Sequence, residues 1–179
     1  MTATIDIRFV RNRGLAYDIV AWRAGGGCGN MPFAPTHVEW LTPQGTCIGQ
    51  HGKAGGMHEY PLGYDRDDIY RLADGSFCET VVSIPCTEAQ LTSLSDFLRQ
   101  AVIQHEPYDW SAPWGFLLGG RHHRKYHSDC SAKIILALRH CGVLRWPLSK
   151  PAHTIDPATA LVILSALVEV SHDLRKSLR

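Results

Sequence analysis

Residues 36–51 read THVEWLTPQGTCIGQH, and a β-hairpin accounts for them. In TPQGT, Pro43 stands at the second turn position and Gly45 at the fourth, which suits a type I turn closed by a glycine bulge, with Thr42 facing Thr46. Counting back along both strands then sets His37 opposite His51, and such cross-strand partners have Cβ atoms roughly 5 Å apart on one face. Glu39, two residues along the same strand, points to the same side as His37. A two-residue turn would instead bring Gln50 across from His37. The hairpin thus offers one histidine and three residues able to orient it: His51 first, with Glu39 and Gln50 as alternates.

A second stretch, SDCSAKIILALRHCG at 128–142, supplies a nucleophile. Ser128 and Asp129 lead into an apolar run that ends at Gly142, so Cys130 falls in the first turn of a helix. The unpaired N–H groups and the positive end of the helix dipole there favour a thiolate over a thiol. Ile134, Ile135, Leu138 and Cys141 recur at helical spacing and form the buried stripe.

Elsewhere the pattern is that of a sheet with helices on it. Thr4–Val10 alternates as a half-buried strand, and 69–72 and 80–84 are rich in β-branched residues around an Asp74-Gly75 turn signal. The stretch 14–23 reads as a short helix, AGGGCGNMPFAP as a loop arriving at His37, and GKAGGMHEYP as another loop. Thr87 to Gln90 forms a capping box ahead of a helix with Leu91, Leu94, Leu98, Ala101 and Val102 on its buried side. Asp156 and Pro157 start a final helix that runs to about residue 176.

Upstream of the cysteine lies HEPYDWSAPWGFLLGG. Together with Asp129, Cys130 and Ser131 this stretch resembles the NlpC-type papain-like cysteine peptidases, in which a Pro-Tyr-aromatic segment and a glycine-rich loop precede Asp-Cys-Ser at a helix start. Pro107, Tyr108, Trp110, Gly119 and Gly120 stand in the matching places. That family's usual order puts the histidine strand after the cysteine helix, whereas here THVEWLTPQGT precedes it. The order resembles the circularly permuted branch, which includes lecithin:retinol acyltransferase-like proteins and many bacterial and phage proteins. The resemblance covers about residues 36–165. It implies Cys130 as nucleophile, His37 as general base and Tyr108 as an oxyanion donor beside the Cys130 N–H; core packing is the other use open to Tyr108. The family's third polar residue would fall on Gly49, which has no side chain.

Composition sets the limits. A chain of 179 residues, 45% hydrophobic, suits one domain spanning 1–179. The 18 basic and 17 acidic residues nearly cancel, which argues against nucleic acid or an anionic membrane as partner. The amino terminus lacks the apolar run of a secretory signal, and the apolar stretch 158–170 is too short to span a bilayer, so a soluble cytoplasmic protein is expected. The six cysteines form no CxxC pair, which fits reduced thiols rather than a disulfide framework or zinc ribbon. A rival cluster, RHHRKYHSDC, has the residue types of a zinc site at a spacing that matches no common finger.

The expected fold is α+β, an antiparallel sheet of about five strands with packed helices in a permuted papain-like arrangement. The expected activity is a cysteine hydrolase with no cofactor and no metal, acting on an amide or isopeptide bond of a peptide or acyl small molecule, with peptidoglycan-type peptides as leading substrates. A lipid acyltransferase or thioesterase using the same Cys-His pair, and a binding protein with an idle triad, are the alternatives.

Overall fold

A computed structural model describes residues 2–14, 34–51, 55–72, 74–109, 129–145, 152 and 155–177. The protein is α+β. Strands β1 (Thr2–Val10), β2 (His37–Leu41), β3 (Thr46–His51), β4 (Gly56–Pro61) and β5 (Glu79–Thr87) form one antiparallel sheet in the order β4-β3-β2-β1-β5. Helices α1 (Glu88–Ile103), α2 (Cys130–His140) and α3 (Pro157–Ser177) pack with it around a shared core.

The β2–β3 hairpin follows the turn chemistry in its sequence. The Gly45 N–H donates to Thr42 O at 3.0 Å, Gly45 takes φ +79°, and the Thr42 N–H donates to Thr46 O at 2.8 Å. A type I turn with a bulge glycine has this pattern. The register pairs Trp40 with Ile48 and Leu41 with Cys47, so continuing it sets Glu39 opposite Gly49 and His37 opposite His51.

Two expectations are corrected. GKAGGMHEYP was expected as a loop, but Gly56–Pro61 is β4, an edge strand along all of β3. Its glycine serves a close crossing, since a Cβ at Gly56 would lie 2.4 Å from Glu106 O. The 69–72 segment, expected as a strand, makes only isolated bridges at Ile69 and Arg71. Its Leu72–Ser76 turn does form around Gly75, at φ +84°. The five-strand total holds because β4 takes the place expected for 69–72.

The helices begin where their caps direct. Thr87 and Gln90 form the reciprocal capping box of α1, worth about 1 kcal/mol for the Thr cap. Asp129 caps α2, its carboxylate accepting from the Ala132 N–H at 2.7 Å. Asp156 accepts from the Thr159 N–H at 2.8 Å ahead of Pro157. Leu94, Leu98, Ile134, Ile135 and Leu138 are fully buried against Ile5, Ile7, Phe9, Val38, Trp40 and Ile48. No helix is long and apolar enough to cross a membrane among the described residues.

The segments 15–33 and 110–128 lie outside the described residues. With them lie the expected helix at 14–23 beyond Gly14, the glycine-rich loops, Trp110 and the histidines of RHHRKYHSDC.

Candidate functional site

Strand alternation sorts β1, β2 and β3 into two sides. Ile7, Phe9, Val38, Trp40 and Ile48 enter the core with the helices, while Arg8, His37, Glu39 and His51 turn the other way, under the turn at 62–68. His37 is the first residue of β2, and Cys130 is the first residue of α2. There the thiol comes against the imidazole.

Behind His37 stands Glu39, its Oε2 3.5 Å from Nε2. Glu39 is wholly buried, and a buried carboxylate needs partners. Arg8 Nη1 donates to Oε1 at 2.5 Å, and the Tyr64 hydroxyl donates to Oε2 at 3.2 Å. Arg8 is itself held by Asp65, at 3.1 Å from Nη1, and by Glu79, at 2.7 Å from Nη2. The carboxylate that faces His37 is therefore fixed from both ends.

The charges follow from this placement. Burial opposes a proton on His37, but the Cys130 thiol and then the Glu39 carboxylate outweigh it and lift the imidazole to about 10. Burial likewise opposes ionisation of Glu39, and His37 with Arg8 overcomes it, holding the carboxyl down at about 2. His51 goes the other way: burial, then the charge on His37, lowers it to about 3, so it is neutral. Tyr64 is pushed up by burial and by Glu39 and keeps its proton.

The structure brings together Cys130, His37, Glu39 and His51 of the residues singled out in the sequence. The His37 and His51 rings are 4.9 Å apart, as their cross-strand pairing requires. The carboxylate of Glu39, however, is what faces the His37 Nε2 edge, while His51 Nδ1 bonds the Tyr64 hydroxyl at 3.0 Å. Gln50 alternates to the helix side, paired with Met57, and does not face His37. Tyr108 is half-buried, and its N–H donates to Gly55 O at 3.0 Å, beside the bridge of Pro107 to Gly56. His140, at the far end of α2 and stacked on Phe97, is about 15 Å along the helix from Cys130. Asp129 is the helix cap; burial raises its carboxyl to about 6.

Sequence reasoning missed Arg8, Tyr64 and Asp65. Arg8 occupies a polar position in the alternation of β1, which reads as solvent-facing, yet it is buried among Glu39, Asp65 of the 62–68 turn and Glu79. The empty position at Gly49 was the available signal. A Cβ there would come within 3.0 Å of Glu39 Cβ, so the glycine makes room for a carboxylate supplied by the neighbouring strand.

Compared with known proteins, the chain matches no family model and no curated protein.

Proposed function

We propose that this protein is a cysteine hydrolase of permuted papain-like arrangement that cleaves an amide or isopeptide bond through an acyl-enzyme on Cys130. The observation that carries the reading is the meeting of a helix-start thiol with an imidazole backed by a buried, anchored carboxylate. Nucleophile, base and orienter are the three parts such chemistry needs.

In the first half-reaction the Cys130 thiolate attacks the carbonyl carbon. The oxyanion is held by the Cys130 N–H, with Tyr108 as the second donor implied by the resemblance. The His37 imidazolium then gives its proton to the departing amine, and the C–N bond breaks. In the second, His37 takes a proton from water, whose oxygen attacks the thioester and releases the acid and the Cys130 thiolate, restoring the thiolate–imidazolium pair. With Nε2 turned toward Glu39, these transfers fall to the other ring nitrogen. Glu39 holds the ring and stabilises its charged form, and Arg8 holds Glu39.

Intact-mass detection of an acyl adduct tests this, using a panel of peptide amides and lipid esters. An adduct of Cys130 from a peptide supports the hydrolase; one formed only from lipid esters moves the site to acyl transfer. No adduct from either contradicts a working triad. Cys130→Ala and His37→Ala should each abolish turnover, with the double variant no worse, because the two act as one unit.

A further inference from the structure

His37 Nε2, His51 Nε2 and Glu39 Oε2 lie within 4.8 Å of one another. The two nitrogens stand 3.5 Å and 3.9 Å from the same carboxylate oxygen, and the three side chains are 9%, 10% and 0% exposed. Neither Nε2 has a hydrogen-bond partner, although both atoms are buried. A buried polar atom without a partner is costly and calls for an explanation.

The protons around Tyr64 sharpen the point. Its hydroxyl has one hydrogen and two neighbours, Glu39 Oε2 at 3.2 Å and His51 Nδ1 at 3.0 Å. With that hydrogen on the ionised carboxylate, the stronger acceptor, His51 Nδ1 donates to the tyrosine oxygen and Nε2 is free to bind a cation. A divalent ion between the two histidines would give both unpartnered Nε2 atoms a partner at once.

Charge and geometry agree with a metal. Arg8 is one guanidinium shared by three carboxylates, Glu39, Asp65 and Glu79, so acidic groups outnumber the guanidinium beside the site. Tetrahedral zinc with bonds of about 2.1 Å sets its donors about 3.4 Å apart, so the observed separations need to contract by only a few tenths of an ångström for the two nitrogen–carboxylate pairs. The Tyr64–His51 and Arg8–Glu39 bonds already supply the outer contacts that orient metal ligands.

We propose that His37 Nε2, His51 Nε2 and Glu39 Oε2 bind one zinc-like divalent transition-metal ion, and that the ion holds the Cys130 site in an unreactive state. The second half rests on the hydrolase reading. A metal on Nε2 leaves the other nitrogen of His37 carrying its proton and unable to accept one from the thiol. Removing the ion frees the base.

The test uses the metal-stripped full chain and zinc alone, measured by calorimetry, with cobalt(II) as the spectroscopic probe. One equivalent of zinc should bind, and cobalt should give the intense visible bands of a tetrahedral site without a thiolate charge-transfer band. Cys130→Ala should bind equally, and His51→Gln, shown folded by circular dichroism, should lose the stoichiometric site. Absence of binding by the unaltered protein, a thiolate band lost in Cys130→Ala, or equal binding by His51→Gln would each overturn the site. One equivalent of zinc should also slow iodoacetamide labelling of Cys130 at least tenfold, reversibly with EDTA. Binding without slowing overturns the regulatory half. A Cys130 that is inert in the stripped protein contradicts the hydrolase reading instead, and leaves the cobalt spectrum to decide the metal site.

Discussion

Strand β2 carries two different environments on alternate residues. On one side Val38 and Trp40 pack against the helices with Ile7, Phe9 and Ile48, where nothing but shape and apolar area matters. On the other, His37 and Glu39 sit in an equally buried setting held together by Arg8, Tyr64 and Asp65. Both sides are buried, so burial does not distinguish core from candidate site in this sheet. The difference lies in how burial is compensated: by close packing on one side, by linked charges and hydrogen bonds on the other. A set of that kind fixes a carboxylate and an imidazole in one geometry, and leaves them sensitive to pH and to the loss of any member.

The largest break in this contrast should come from Arg8→Met, which keeps the volume but strands Glu39 and Asp65 without a cation. Breaking a buried ion pair costs about 3–5 kcal/mol, to be read from urea unfolding near neutral pH; a loss under about 1 kcal/mol would mean that these carboxylates behave as solvated surface groups.

The two histidines should then separate in the metal-free protein. His37, raised from 6.5 to about 10, contributes stability that is full below pH 6.5 and is lost as pH rises through 10. His51, lowered from 6.5 to about 3, is a group the unfolded chain protonates first, so stability falls as pH drops from 6.5 toward 3. Difference curves of unfolding free energy against pH should therefore show His37→Asn flattening the alkaline side and His51→Gln the acid side. The same change of slope in both variants would contradict the opposite charges assigned to them.

Gly49→Ala should cost about 1–3 kcal/mol, because its Cβ would press on Glu39 Cβ at 3.0 Å and both atoms are fixed to strands. The smallest effect belongs to the apolar side. Ile7→Val should lose about 0.5–1.5 kcal/mol by the same unfolding assay, with no dependence on pH between 5 and 9, whereas every polar-side variant should show one.

Legibility followed the range of the interactions. Turn and cap chemistry is local, so TPQGT gave the hairpin register, Thr87 and Gln90 the start of α1, and Asp156-Pro157 the start of α3. The pairing of His37 with His51 came from that register alone. What escaped depends on distant segments meeting. Gly56 looks like loop punctuation until the chain at Glu106 crosses it, and β4 was missed for that reason. Arg8 and Tyr64 are 31 and 25 residues from Glu39 along the chain, and no spacing rule links them. His51 was the first choice to orient His37 because the hairpin makes it a neighbour, yet proximity of rings does not decide which group faces Nε2. The carboxylate does, because Arg8 and Tyr64 hold it there.

Alkylation of the metal-stripped protein with limiting iodoacetamide at neutral pH, mapped by peptide mass spectrometry, bears most directly on the reading. Burial pushes up the thiols of Cys47, Cys78, Cys86 and Cys141, and Glu39 adds to the effect on Cys47. Cys130, at a helix start against a protonated His37, should be modified first among the six cysteines, and His37→Ala should remove that preference. Faster labelling at another cysteine, or a Cys130 rate indifferent to His37→Ala, would contradict a thiol–imidazole pair as the working centre of this protein.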